Sequence, residues 1–109
     1  MALLTTYTIV DAGTAPTFAA AAATDTLTYS SGLFVVYRNT NAATRTVTVT
    51  VPGNTTYGQL LPDPALTLGA TTGELWIPMR SIYRDSTTGL VTVAVSVITN
   101  VTVAVVRLV

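Results

Sequence analysis

The chain contains no cysteine, no histidine and no lysine. Without cysteine it forms no disulfide and offers no thiol chemistry, and without cysteine and histidine together it lacks the usual zinc ligands. Without histidine there is no Ser-His triad, and without histidine or lysine a serine has no ordinary base to activate it. Charge is scarce too. Only 9% of residues are charged, against roughly 25% in an average soluble domain, and five arginines balance five acids. No positive excess exists to neutralise phosphates, so a basic nucleic-acid binder is excluded. Long apolar runs are missing as well. The longest, Phe18 to Ala23, is six residues, whereas a bilayer span needs about 20. The N-terminal Met1-Ala2-Leu3-Leu4-Thr5 has no basic segment and does not read as a signal peptide.

What is present is hydrophobic and β-branched. Half of the 109 residues are hydrophobic, which excludes a disordered chain. The length predicts one domain, 1–109, burying about 65% of its unfolded surface. In Arg45-Thr46-Val47-Thr48-Val49-Thr50-Val51 the alternation places Val47, Val49 and Val51 on one face and the threonines on the other. Val91 to Val97 and Val101 to Leu108 repeat that pattern, and the short Ile98-Thr99-Asn100 between them predicts a hairpin. Leu33-Phe34-Val35-Val36-Tyr37-Arg38 is a nearly continuous apolar run, which predicts a strand buried on both faces. Thr6–Val10, Thr26–Tyr29, Leu66–Leu68 and Glu74–Ile77 are further strands. Gln59–Pro64, with two prolines, reads as loop. Ala19–Ala23 is the one helix-friendly stretch, but five residues make little more than a turn; it reads as an extended segment packed closely against a neighbour. The expected fold is all-β: an antiparallel β-sandwich or jelly-roll-like barrel of about eight short strands.

The five acids, Asp11, Asp25, Asp63, Glu74 and Asp85, fall mostly in predicted turns, where Asp commonly bonds its own backbone. Nothing in their spacing brings two together as a hydrolase requires. The chain is therefore expected not to be an enzyme and to need no metal or cofactor. The arginines draw more interest, because every positive charge is a planar fork suited to bidentate contacts. Arg80 and Arg84 lie in Trp76-Ile77-Pro78-Met79-Arg80-Ser81-Ile82-Tyr83-Arg84, which concentrates residue types enriched at interfaces. Arg80, Tyr83 and Arg84 are the candidate partner-binding residues. Trp76 and Ile82 are expected in the core, with Arg80 paired to Glu74 or Asp85 if it is not at an interface.

Several stretches carry a family likeness. Thr17-Phe18 runs into the alanine stretch. Val35-Val36-Tyr37-Arg38-Asn39 is followed by Ala42-Ala43-Thr44-Arg45-Thr46-Val47-Thr48-Val49. The Pro78–Asp85 segment and Gly89 through Leu108 complete the set. In these the chain resembles the small β-sandwich capsid decoration, or head auxiliary, proteins of tailed bacteriophages, especially those of actinobacterial hosts. It departs from that pattern at Trp76-Ile77-Pro78-Met79, where a Gly-Pro-Phe-like turn is expected, and in the Gln59–Pro64 loop. The resemblance implies a structural protein, made in the host cytoplasm, on the capsid exterior. Its partner would be the major capsid protein, alongside itself as dimer or trimer, with neither nucleic acid nor membrane involved. Residues 1–5 would then form an extended N-terminal arm, adding Leu3 and Leu4 to the partner-binding set. The alternatives are another virion part, such as a tail or head-fibre module, and a carbohydrate- or surface-binding β-sandwich with Trp76, Tyr57 and Tyr83 as stacking residues.

Overall fold

The computed structural model describes residues 2–13, 15–52, 57–58 and 63–108. Ten strands follow in order: β1 (Ala2–Leu3), β2 (Thr6–Ile9), β3 (Ala19–Ala20), β4 (Thr24–Thr28), β5 (Leu33–Asn39), β6 (Arg45–Val49), β7 (Ala65–Leu68), β8 (Gly73–Pro78), β9 (Leu90–Val95) and β10 (Val101–Leu108). A single 3₁₀ turn, Ser81–Tyr83, is the only helical element among the described residues. The alternating pattern thus yields an all-β protein. One sheet runs β1-β4-β9-β6-β7 and the other β2-β10-β5-β8, with β3 sharing the β10 edge with β2. The two pack as a flattened sandwich whose extents are 42 × 35 × 19 Å.

The core is built as the threonine-valine pattern requires. Val47, Val49, Val91, Val93, Val95, Val101, Val103 and Val105 line the space between the sheets with Leu27, Leu33, Val35 and Tyr37. Thr46 and Thr50 face outward. β5 and β10 occupy the centre of their sheet, and both are buried on two faces. Val36, Ala104 and Val106 are covered on the side away from the core.

One expectation about connections is corrected. The Val91–Val97 and Val101–Leu108 strands do not form a hairpin, because β9 and β10 lie in opposite sheets. β9 ends at Val95, and Val97 and Ile98 are exposed. The link crosses over the end of the sandwich, with Asn100 at a positive φ of 60° in its turn; Asn tolerates that conformation. The two valine faces therefore meet across the core instead of lying side by side. β7 and β8 likewise sit in different sheets. Their link turns so tightly that a Cβ on Gly73 would lie 1.8 Å from the Gly69 carbonyl oxygen. In addition, two of the eight strand pairings among the described residues, β1 on β4 and β2 on β10, are parallel. Parallel neighbours need long crossover connections, and here nearly the whole chain separates β2 from β10. The alanine stretch is extended as expected, with Ala19–Ala20 pairing onto β10. Most of Gln59–Pro64 lies outside the described residues.

One buried polar residue ties the ends together. Asn39 is fully buried at the end of β5. Its amide nitrogen donates to the Ala43 and Gly69 carbonyls at 2.8 and 2.9 Å, and its side-chain oxygen accepts the Asn41 amide at 3.0 Å. Arg45, buried beside it, donates to the carbonyls of Thr44 and Thr99. Asn39 and Arg45 thus hold the 40–44, 69–72 and 96–100 connections onto the sandwich.

A candidate protein-binding face

The candidate site grows out of β8. Along this strand Leu75 and Ile77 turn inward, and Ile77 is buried. Period-two geometry then sends Glu74, Trp76 and Pro78 outward. Arg80 keeps extended backbone, with φ −114° and ψ 155°, so the outward file continues through it. Beyond it Ile82, on the 3₁₀ turn, and Arg84 are exposed as well. Trp76 is 51% exposed and Ile82 is 52% exposed. The expectation that both belong to the core is therefore corrected: Leu75 and Ile77 already fill the inward positions, and Ile82 rides on an exposed turn.

Neighbouring side chains fix the upper half of this file. In the β5–β8 register Arg38 lies opposite Glu74, Val36 opposite Trp76 and Phe34 opposite Pro78. The Arg38 Nε donates to Glu74 Oε2 at 2.9 Å, and the Trp76 indole N–H donates to Glu74 Oε1 at 2.7 Å. These two hydrogen bonds, the indole's first, hold the Glu74 carboxyl below its ordinary range. Phe34 meets Trp76 edge-on, with centroids 6.4 Å apart and planes at 65°. The Arg38 guanidinium sits 4.0 Å above the Phe18 ring, a favourable cation–π arrangement. The result is a neutral, aromatic outer surface whose polar groups already satisfy one another.

The lower half is freer. Glu74 is engaged by Arg38 and Trp76, so the expected pairing of Arg80 with Glu74 is not made. Asp85 is taken up too: its Oδ1 accepts the Thr87 and Thr88 amides, closing the turn to Gly89. Arg80 and Arg84 stand exposed, and neither makes an ion pair among the described residues. Tyr83 is half-buried and packs against the core from below.

Leu3 and Leu4 lie elsewhere. Ala2–Leu3 docks in parallel on β4, and the Leu4 amide donates to the Thr26 carbonyl at 2.7 Å. Leu3 is 63% exposed, whereas Leu4 packs against the core. Of the five candidate residues, the structure brings Arg80, Tyr83 and Arg84 together and sets Leu3 and Leu4 on a separate sheet edge. Phe18, Phe34, Arg38, Glu74 and Trp76 form a connected set along the β5–β8 pair; of these only Trp76 stands among the residues the sequence offers for binding, as a stacking residue of the carbohydrate alternative. The available signal was the parity of Trp76 between Leu75 and Ile77.

Set beside known proteins, the chain matches no family model, no curated protein and no solved structure.

Proposed function

We propose that this chain is a structural virion protein, not an enzyme, that binds the outer surface of a phage capsid and stabilises the major-capsid lattice. One observation carries this reading: the stretch from Trp76 to Arg84 exposes two large apolar side chains, Trp76 and Ile82, together with Arg80 and Arg84, which make no ion pair among the described residues. That composition is characteristic of protein–protein contacts. The resemblance in the 35–49 and 78–108 stretches supports the identity of the partner, and the low surface charge suits a subunit that works against a protein lattice. Many copies on one lattice would hold firmly even if each contact were weak.

The carbohydrate reading asks for two exposed, coplanar aromatic rings. Trp76 and Tyr57 are both exposed, but the ring Trp76 touches, Phe34, stands at 65° to it, and Tyr83 is packed against the core. The observations therefore favour a protein partner. The experiment is co-sedimentation of purified protein with shells lacking it. Saturable binding at a fixed ratio to capsid subunits is expected, and the ratio gives the lattice position. Absence of binding to both mature and immature shells, with retention on a glycan array, would replace this reading with the carbohydrate one.

A further inference from the structure

A second feature lies on the opposite element set, where β3 gives way to β2 along the edge of β10. β3 pairs with Thr102 and Val103, and β2 takes over at Val105. Between them opens a cleft of about 230 Å³, walled by Leu4, Tyr7, Ala19, Ala20, Ala22 and Asp25 among others. Small side chains at 19, 20 and 22 leave this space open. Pockets for whole small molecules run from roughly 300 to 1,000 Å³, and one water occupies about 30 Å³. The cleft thus suits a single long side chain.

Its chemistry is one-sided. Asp25 is the only charged residue on its walls, and it is 1% exposed. Asp25 shares the inward parity of Leu27 on β4, so its carboxylate points toward the sandwich interior. Its Oδ2 accepts the Ala22 amide at 3.1 Å. Behind it the Tyr37 hydroxyl is buried without a hydrogen-bond partner. Burial, with the Asp25 charge adding to it, pushes the Tyr37 phenol well above its ordinary range. A buried carboxylate is costly unless a cation or several donors compensate it. Among the described residues no side-chain cation of this chain does so. It has no lysine. Arg38 is committed to Glu74 and Arg45 to loop carbonyls, while Arg80, Arg84 and Arg107 do not line the cleft.

We infer that this cleft receives a lysine side chain from the bound partner, its aliphatic stem against Leu4 and the alanines and its ammonium on Asp25. An ammonium fits better than a guanidinium. One carboxylate oxygen is already held by the Ala22 amide, which spoils the bidentate match an arginine fork requires. Leu3 and Leu4 rim the same opening, so the N-terminal residues frame the site. The inference rests on the proposed role for its partner, but the site itself is testable alone.

The probe is n-butylammonium, titrated into the 15N-labelled full chain, with 1-butanol and n-butylguanidinium as controls. Saturable shifts at Ala22, Asp25 and Val103–Val105 are expected, with both controls at least tenfold weaker. Asp25→Asn keeps the acceptor for the Ala22 amide and should weaken butylammonium at least tenfold. Ala20→Leu fills the cleft without touching the carboxylate and should do the same. Either variant must keep the dispersed spectrum of the folded protein. Equal binding of butanol, unchanged binding by both variants, or no saturable shift would overturn the site. Butylammonium binding without any shell binding would instead leave the site standing and remove the capsid reading. Shell binding that is unaffected by Asp25→Asn would show that the lattice does not use it.

Discussion

Two stretches of this protein use similar residues to opposite ends. In the first, 33–49, apolar side chains go inward or are covered on both faces, and the buried polar groups of Asn39 are met by Ala43, Gly69 and Asn41. In the second, 74–84, a tryptophan and an isoleucine are half out in solvent, alongside two arginines without an ion pair among the described residues. Both runs contain aromatics, arginines and branched aliphatics, so composition does not separate them. What separates them is whether the partners lie within the chain. The first stretch completes the fold, and the second is left with surface to spend on another molecule.

That contrast breaks first at the core. Val49→Asp or Val95→Asp places an unpaired charge between the sheets and should cost more than about 4 kcal/mol, enough to unfold most domains of this size. Circular dichroism and thermal melts of the purified variants would read this. A folded Val49→Asp protein would mean that the inward face is wrongly assigned.

Next come the ties at the strand ends. Asn39→Ala strands two carbonyls and an amide, and should destabilise by about 2 kcal/mol. Gly73→Ala forces a methyl onto the Gly69 carbonyl and should cost about 3 kcal/mol. Urea unfolding curves with unchanged slopes would quantify both. An Asn39→Ala protein as stable as the parent would remove the distinction between a closed first stretch and an open second one.

Tyr37 sharpens the comparison in the other direction, since its hydroxyl and the Arg45 Nε are the two buried groups of the closed region without a hydrogen-bond partner among the described residues. Tyr37→Phe deletes a hydroxyl that has no partner and should be neutral or stabilising by about 1 kcal/mol. The sign with pH follows from its raised ionisation. The folded state prefers the neutral phenol, so its contribution is intact below the unfolded value of about 10 and is lost as pH climbs above it. Stability of the parent should therefore fall above pH ~10, and that of Tyr37→Phe should fall less.

The smallest effects are expected on the open face. Trp76→Ala should cost less than about 1 kcal/mol, because the ring is half-exposed and its indole bond is to a surface carboxylate. Glu74 titrates below its ordinary range, so the stability it lends is present above pH ~4.3 and is lost as pH falls through its lower folded value. Glu74→Gln should flatten that acid limb of the stability profile. A steep acid limb that survives in Glu74→Gln would assign it to another carboxyl.

The two regions also differ in how far the sequence announces them. The valine-threonine alternation determines inward and outward faces at 47–51, 91–95 and 101–105, because a one-residue slip would expose every valine. The same rule places Trp76 outward once Leu75 and Ile77 are taken as the inward pair, yet its size argues for burial and misleads. Pairing is less legible than facing. Identical alternation suits two strands side by side or two strands facing across a core, so Val91–Val97 and Val101–Leu108 read as a hairpin although they lie in opposite sheets. The parallel docking of β1 on β4 and of β2 on β10 depends on strands that are not neighbours in sequence, for β2 across nearly the whole chain, which no local pattern encodes. Arg80, Tyr83 and Arg84 were visible as a composition. Their freedom from internal pairing was not, because it depends on Arg38 reaching Glu74 from a neighbouring strand.

The most direct test of the open face is competition on empty shells between the parent protein and the Arg80→Ala, Arg84→Ala double variant. Both should be equally folded, with stabilities within about 0.5 kcal/mol, since neither arginine makes an ion pair among the described residues. The predicted result is that the parent saturates the shells and the double variant needs at least tenfold more protein to do so. Equal co-sedimentation of the two at every concentration would contradict the claim that this face meets the lattice.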